Sequence, residues 1–349
     1  MNGTTPDRLA HDNVRLILET YIDKHNPETS YPWFTDPKMV EVGVAADLYD
    51  APKNECLCGH THKSHRDDVF GEHNEGSCTF CQCDAYQNKV VHVGVLDILG
   101  TSRSTNDLCP VDHKTTGQLN ARFVHQYEMD SQLSGYMWQA SQLMRKPCHV
   151  AFINAIELGV IPSSNRKCPA HGVEYAECGP EHVKFQVIGP IERTDRQIEE
   201  WREGAIVLAL KYRRLLTHTH KSIHKVRMEG TFNGGCAYCE FREWCIGDRQ
   251  PKQVEKMFIQ RVWAPWERVP NVVKKPDPRV LYVDNSTLKA VASCSTQALM
   301  RYGLGWSSAE QSGPLNAGTA VHAGLERWFK GGTTSQALDA FDKAFVEDE

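Results

Sequence analysis

The chain has 349 residues, 40% of them hydrophobic, with 44 acids against 39 lysines and arginines and a formal net charge of −5. That length can bury the core of one large domain or two. The charge excludes a polyanion binder of the histone kind, and no apolar run is long enough for a membrane span.

In chain order, residues Arg8 to Lys24 carry Leu9, Val14, Ile17, Leu18, Tyr21 and Ile22 at helical spacing, which predicts an amphipathic helix. Met39–Leu48 alternates as a strand does. Glu55–Tyr86 then breaks the pattern, being polar and rich in cysteine and histidine. Strands are predicted at Lys89–Leu99 and Leu108–Lys114, a helix over His125–Met144, and a strand at His149–Ile156. The last is apolar throughout, as a strand buried on both faces should be. Ser163–Glu181 is a second polar interruption. Lys184–Ile188 returns to strand and Asp195–Leu216 to a long helix. Val254–Pro278, with its prolines and tryptophans, reads as a linker, and helices follow at Ser286–Tyr302, Ala317–Phe329 and Ser335–Val346.

Thirteen cysteines in a chain without a secretion signal read as metal ligands rather than disulfides. Cys236, Cys239 and Cys245 give three thiols, one short of a closed tetrathiolate site for zinc or an iron–sulfur cluster. Cys56, Cys58, His60, His62, His65, Cys78, Cys81 and Cys83 suit tetrahedral zinc, which would give a polar insertion over 55–86 a reason to fold. The favoured ligands are Cys58, His65, Cys78 and either Cys81 or Cys83, with Cys56 and His60 as competitors. Cys168, His171, Cys178 and His182 read equally as a small zinc site or a plain loop. Cys109 and Cys148 lie in strand-like text and read as core. Lys211, Arg213, Arg214, Lys221, Lys225 and Arg227 make a local basic stretch, a nucleic-acid face or only a solvated helix side.

The chemistry is concentrated in three short runs. Gly94-Val95-Leu96-Asp97 ends one strand with an acid, and Val111-Asp112-His113-Lys114 ends the next with an acid and a lysine. Asp112 and Lys114 share a strand face because side chains repeat every two residues. Two carboxylates hold a hard divalent cation, and a lysine beside it steadies developing phosphorane charge or activates a water. Gln132 and Tyr136 follow on one face of a helix.

These runs resemble the PD-(D/E)XK nuclease superfamily, and specifically its RecB/AddB-like branch, whose pattern reads G-x-x-D, D/E-x-K, Q-x-x-x-Y. The resemblance implies an α/β fold: a mixed central sheet flanked by helices, a restriction-endonuclease-like core, here with a zinc-binding insertion and an iron–sulfur-stapled helical portion. It implies Mg²⁺ or Mn²⁺ on Asp97 and Asp112, with the His113 carbonyl as a further oxygen ligand. Lys114 would orient the attacking water, and Gln132 and Tyr136 would position the scissile strand or support Lys114. Glu41 stands where the family often carries a further acid.

An iron–sulfur subgroup of that branch takes its fourth cysteine from S-x-L-x-x-x-x-x-C, which occurs as Ser286 to Cys294. Cys236, Cys239, Cys245 and Cys294 would then hold one [4Fe–4S] cluster. The branch's G-x-x-x-H helix matches Gly318 to His322, making His322 a nitrogen ligand of the metal. In the branch those two elements precede the catalytic strands, whereas here they follow. The chain therefore reads as circularly permuted: residues 1–54 and 87–250 form the nuclease core, 251–284 a linker, and 285–349 a helical segment that completes the core. An incomplete second module, or completion of a neighbouring copy in a swapped dimer, is the less economical reading. By resemblance the activity is a deoxyribonuclease, expected to be an exonuclease on DNA ends or single strands in recombination, repair or CRISPR-type DNA processing. It would be cytoplasmic, in a bacterium or as a phage protein in its host. The rival readings are a catalytically degenerate nucleic-acid-binding scaffold and a zinc-dependent hydrolase working at the Cys/His insertion.

Overall fold

A computed structural model describes residues 6–52, 56–57, 87–158, 184–218, 220–308 and 313–346. In chain order these form α1 (Pro6–Lys24), β1 (Trp33–Phe34), β2 (Val40–Asp50), β3 (Lys89–Ser102), β4 (Leu108–Thr116), α2 (Ala121–His125) and α3 (Ser131–Met144). There follow β5 (Val150–Glu157), β6 (Phe185–Glu192), α4 (Asp195–Leu215), α5 (Gly230–Asn233), α6 (Arg242–Ile246) and α7 (Pro251–Met257). The chain closes with β7 (Ile259–Gln260), β8 (Val280–Val283), α8 (Asn285–Ser293), α9 (Ser295–Ala298), β9 (Trp306–Ser307), α10 (Gly313–Phe329) and α11 (Thr334–Val346). The fold is mixed α/β, a mixed sheet flanked by helices. Among the described residues no helix is long and apolar enough to cross a membrane.

The chain divides into two compact units, and β3 contributes to both. The first unit draws on residues up to 42, from 96 to 195 and from 311 onward. Here the Ile98–Thr101 stretch of β3 runs antiparallel to β4, β4 runs parallel to β5, and β5 antiparallel to β6. β5 and the Leu108–Val111 half of β4 are buried on both faces, covered by helices as a parallel pair requires. Ile17, Leu18 and Tyr21 of α1 pack with Leu325, Phe329 and Phe341 of the last two helices and with Val111 and Phe152 of the sheet. Each such aliphatic side chain contributes about 1.5–3 kcal/mol by leaving water. Arg15 Nε donates to Asp342 Oδ1 at 3.0 Å and ties α1 to α11.

The second unit draws on residues 43–95 and 196–310. Lys89–His92 of β3 pairs parallel with Val280–Val283 of β8. A separate core gathers Ile223, Val226, Phe241, Trp244, Val254, Leu299 and Met300.

Two expectations need correction. The helix foreseen over roughly His125–Met144 starts only at Ser131, where the Asp130 carboxylate accepts the Gln132 N–H at 2.6 Å, and a separate short helix ends at His125. Residues 251–284, foreseen as a linker, are folded. Prolines 251 and 265 open α7 and a 3-10 turn at Pro265–Arg268, and Val254, Pro265 and Val269 are buried. Proline at the first helical position loses no hydrogen bond, so a proline-rich composition is compatible with short helices. The units also cut across the foreseen 285–349 segment: Cys294 lies in the second and His322 in the first.

Candidate active site

β3 and β4 run in the register Ile98↔Val111, and the ladder stops there. One step further the Asp97 side chain replaces the backbone partner: its Oδ2 accepts the His113 N–H at 2.7 Å. Asp97 and Asp112 therefore stand at the same level of two neighbouring strands. Asp112 is only 2% exposed, and Lys114 Nζ pairs with its Oδ2 at 2.6 Å. Burial pushes the Asp112 carboxyl up to about 6; Lys114 pulls it down and Asp97 pushes it further up. Burial works against the Lys114 ammonium too, but Asp112 outweighs that and leaves it above its ordinary range.

A third acid and an imidazole complete the cluster. Glu41, Asp97 and His322 each bring one ligand atom to within 4.8 Å of the others, from segments far apart in the chain. Glu41 is held at φ +55°, a left-handed conformation that non-glycine residues seldom adopt and that concentrates at functional sites. His322 Nδ1 lies 3.6 Å from Asp97 Oδ2, and its Nε2–H donates to the His113 carbonyl at 2.9 Å. A carbonyl only accepts, so in the neutral ring the proton sits on Nε2 and Nδ1 keeps a free lone pair towards the carboxylates. Gly318, one helical turn earlier, explains the paired glycine: a Cβ there would stand 3.1 Å from Thr115 Oγ1. The bare backbone lets α10 approach β4 closely enough for His322 to reach.

The His113 side chain points elsewhere. It is buried, stacks on Phe329 at 5.3 Å, and accepts at Nδ1 from Asn154 Nδ2 at 2.9 Å. Burial lowers it to about 3, so the ring is neutral. Gln132 Nε2 donates to Tyr136 Oη at 2.6 Å, fixing both on one face of α3. Tyr127 was not foreseen. It is 6% exposed, pushed up to about 12 by burial, and Lys114, Asp112 and Asp130 all act on it. Nothing in the sequence marked it beyond its place just before α3.

In the second unit Cys236, Cys239, Cys245 and Cys294 line one cavity of about 300 Å³. Cys294 lies between α8 and α9, and the carboxylate of Glu229 accepts both the N–H and the hydroxyl of Ser295, at 2.8 and 2.7 Å. Asn233 Nδ2 donates to the Ser293 carbonyl at 2.8 Å. These bonds clamp the Cys294 turn onto the segment carrying the other three thiols. Burial pushes Cys245 up to about 11, with Arg249 pulling down and the other three cysteines pushing up. Such crowded thiols become thiolates only with a cationic centre among them. Among the described residues three ligand atoms meet within 4.8 Å of one another only at Glu41, Asp97 and His322. Cys109 and Cys148 are buried, and burial pushes both up to about 12.

The model of the PD-(D/E)XK nuclease superfamily matches residues 53–246. The chain belongs to the PD-(D/E)XK nuclease superfamily. No curated protein and no solved structure matches it. The matched PD-(D/E)XK segment contains Asp97, Asp112, Lys114, Gln132 and Tyr136, and it ends before Cys294 and His322. Proteins of this superfamily are typically nucleases that act on DNA and use divalent metals such as Mg²⁺. The donor set of this member fits such an ion, since carboxylate oxygens and one imidazole nitrogen with a free lone pair suit Mg²⁺ or Mn²⁺. Of the foreseen zinc ligands, Cys58, His65, Cys78, Cys81 and Cys83 lie outside the described residues, as do His60, Cys168, His171, Cys178 and His182. Cys56 is buried, and its sulfur accepts the Gln87 N–H at 3.4 Å. The foreseen basic stretch is partly spent: Lys211 binds Glu229 and the Val291 carbonyl, and Arg213 is buried.

Proposed function

We propose that this chain is a Mg²⁺- or Mn²⁺-dependent deoxyribonuclease of the RecB/AddB-like branch, acting on DNA ends or single strands in recombination, repair or CRISPR-type processing. The observation that carries the reading is the meeting of Glu41, Asp97 and His322 beside the Asp112–Lys114 pair. Asp97, Asp112, Glu41 and His322 would hold the ion, with the His322 ring oriented by its bond to the His113 carbonyl. When bound, the ion supplies Lewis-acid stabilisation of phosphorane charge and a more acidic water. Lys114 gives up its bond to Asp112 and orients that water, its charge set against the scissile phosphate. Gln132 and Tyr136, locked to one another, position the strand being cut. The motif order supports a circularly permuted core with His322 supplied from the C-terminal side.

The four thiols lining one cavity support a [4Fe–4S] cluster on Cys236, Cys239, Cys245 and Cys294, with a zinc ion on the same thiols as the alternative. The 55–86 insertion would hold zinc. End-labelled DNA with Mn²⁺ tests the activity. Asp112→Ala should cost several orders of magnitude in rate, and an Asp112→Ala protein that cleaves at the wild-type rate refutes the assignment.

A further inference from the structure

The second unit holds a cavity that the proposed chemistry leaves unused. It measures about 390 Å³, inside the range of roughly 300–1,000 Å³ that small-molecule sites occupy. Its wall is aromatic to an unusual degree: Tyr212, Trp263, Trp266, Tyr282 and Tyr302. They arrive from α4, from just before and within the Pro265 turn, from β8 and from the turn after α9. Trp263 meets Tyr302 at 5.1 Å and 83°, and Trp266 meets Tyr282 at 5.4 Å and 60°. Steeply inclined pairs of this kind leave ring faces available to a further planar group.

Two polar atoms of the wall residues have no hydrogen-bond partner although they are shut away from solvent: Gln87 Oε1 and the Trp263 indole N–H. One accepts and the other donates. Buried groups of these types ordinarily find partners, and the edge of a nucleobase offers both complements once the Gln87 and Trp263 side chains turn their polar atoms into the cavity. The one charged residue of the wall, Asp277, is paired with Arg279 at 2.9 Å, and the free charge beside the cavity is positive. Lys274 and Lys275 are exposed, directly precede the rim residue Pro276, and have no ion-pair partner among the described residues. From Arg261 to Arg279 five cations outweigh two acids, in a chain of net charge −5.

We infer that this cavity takes an unpaired base of single-stranded DNA, stacked on the tryptophan and tyrosine rings, with the flanking phosphates on Lys274 and Lys275. Aromatic stacking beside a cationic track is how proteins hold single strands without reading sequence. The choice of DNA rests on the nuclease reading; the cavity, its rings and its unpaired atoms do not. A duplex keeps its bases stacked inside and cannot offer one.

The test uses the full chain without added divalent ion, a labelled oligothymidine, and a duplex of the same length. Trp263→Ala should weaken single-strand binding at least about fivefold and leave duplex binding unchanged, while Trp263→Phe, which keeps a ring, recovers most of the loss. Replacing Lys274 and Lys275 together by alanine should reduce the slope of log K against log salt by about 1.4, roughly 0.7 for each phosphate contact. Equal loss of both DNA forms in Trp263→Ala, or no loss of either, overturns the inference. Cleavage of the same DNA with Mn²⁺ separates the two claims. If the wild type cleaves while Trp263→Ala binds single strands normally, the cavity inference alone fails. If the wild type never cleaves yet loses single-strand binding in Trp263→Ala, the nuclease reading alone fails.

Discussion

Truncating His322 separates metal binding from folding more cleanly than removing a carboxylate does. The imidazole is about one-third exposed, so His322→Ala leaves no large void, and the fold loses chiefly the Nε2–H bond to the His113 carbonyl. A single bond of that kind is worth about 0.5–1.5 kcal/mol. The metal site, by contrast, loses one of the three donors that the structure brings together. Disturbing even an outer partner of a metal ligand commonly costs 10–100-fold in affinity, so loss of the ligand itself should weaken Mn²⁺ at least about 100-fold, or roughly 2.7 kcal/mol. His322→Gln sharpens the comparison, since its amide can donate to the same carbonyl but is a poor nitrogen ligand. The assay is calorimetric titration of Mn²⁺ alongside urea unfolding of the metal-free protein. Both variants should bind weakly, while His322→Gln unfolds close to wild type. A His322→Ala protein that binds Mn²⁺ as tightly as wild type and cleaves as fast would refute the placement of His322 at the metal.

The Asp112 carboxyl, raised to about 6 by burial, gives a pH dependence with two opposite signs. Below about pH 6 an incoming ion must displace its proton, so Mn²⁺ affinity and cleavage should fall towards tenfold per pH unit. The metal-free fold binds that proton more tightly than the unfolded chain, so its stability is fully present at low pH and declines as pH rises from about 4 to about 6; melting of chelated protein across that window reads it. Lys114→Ala should lose orders of magnitude in cleavage while binding Mn²⁺ no more weakly, because Asp112 is freed from its 2.6 Å partner; a parallel loss of affinity would make Lys114 structural. Cys236→Ala and Cys294→Ala should each abolish the visible absorption and iron content of anaerobically purified protein, and Cys148→Ala should keep them. Colourless wild-type protein containing only zinc would end the iron–sulfur reading.

The two acid-bearing strands were legible from their short apolar runs, but the acids do not end them: β3 runs on from Asp97 to Ser102 and β4 from Asp112 to Thr116, and what stops at Asp97 is the β3–β4 ladder. Their register was not legible. It depends on Asp97 taking the His113 N–H where the ladder stops, an exchange between a side chain and a peptide that no periodicity records. Glu41 stood out only by position; its left-handed backbone, which a strand-like pattern conceals, belongs to the tertiary structure. Tyr127 carried no signal because its role depends on which charges surround it. The 251–284 stretch misled through composition: proline and tryptophan suggest a connector, yet here the prolines start short helices and the tryptophans line a cavity. Cysteine spacing singled out residues 236–245, whereas Cys294, which lines the same cavity, was singled out by a motif and not by spacing.

The backbone of one residue governs much of the site. The amide of His113 fixes Asp97 and its carbonyl fixes His322, so both proposed ligands are aligned by main-chain atoms that every amino acid except proline supplies in full. The side chain at 113, turned away towards Phe329 and Asn154, is free to vary on grounds of packing without shifting either ligand. Drift at this position is thus buffered, and the alignment is exposed to mutation chiefly through proline, which would delete the amide hydrogen, or through changes that twist β4 itself. The geometry is inherited with the strand, and a search for its signature in sequence alone would pass over the residue that sets it.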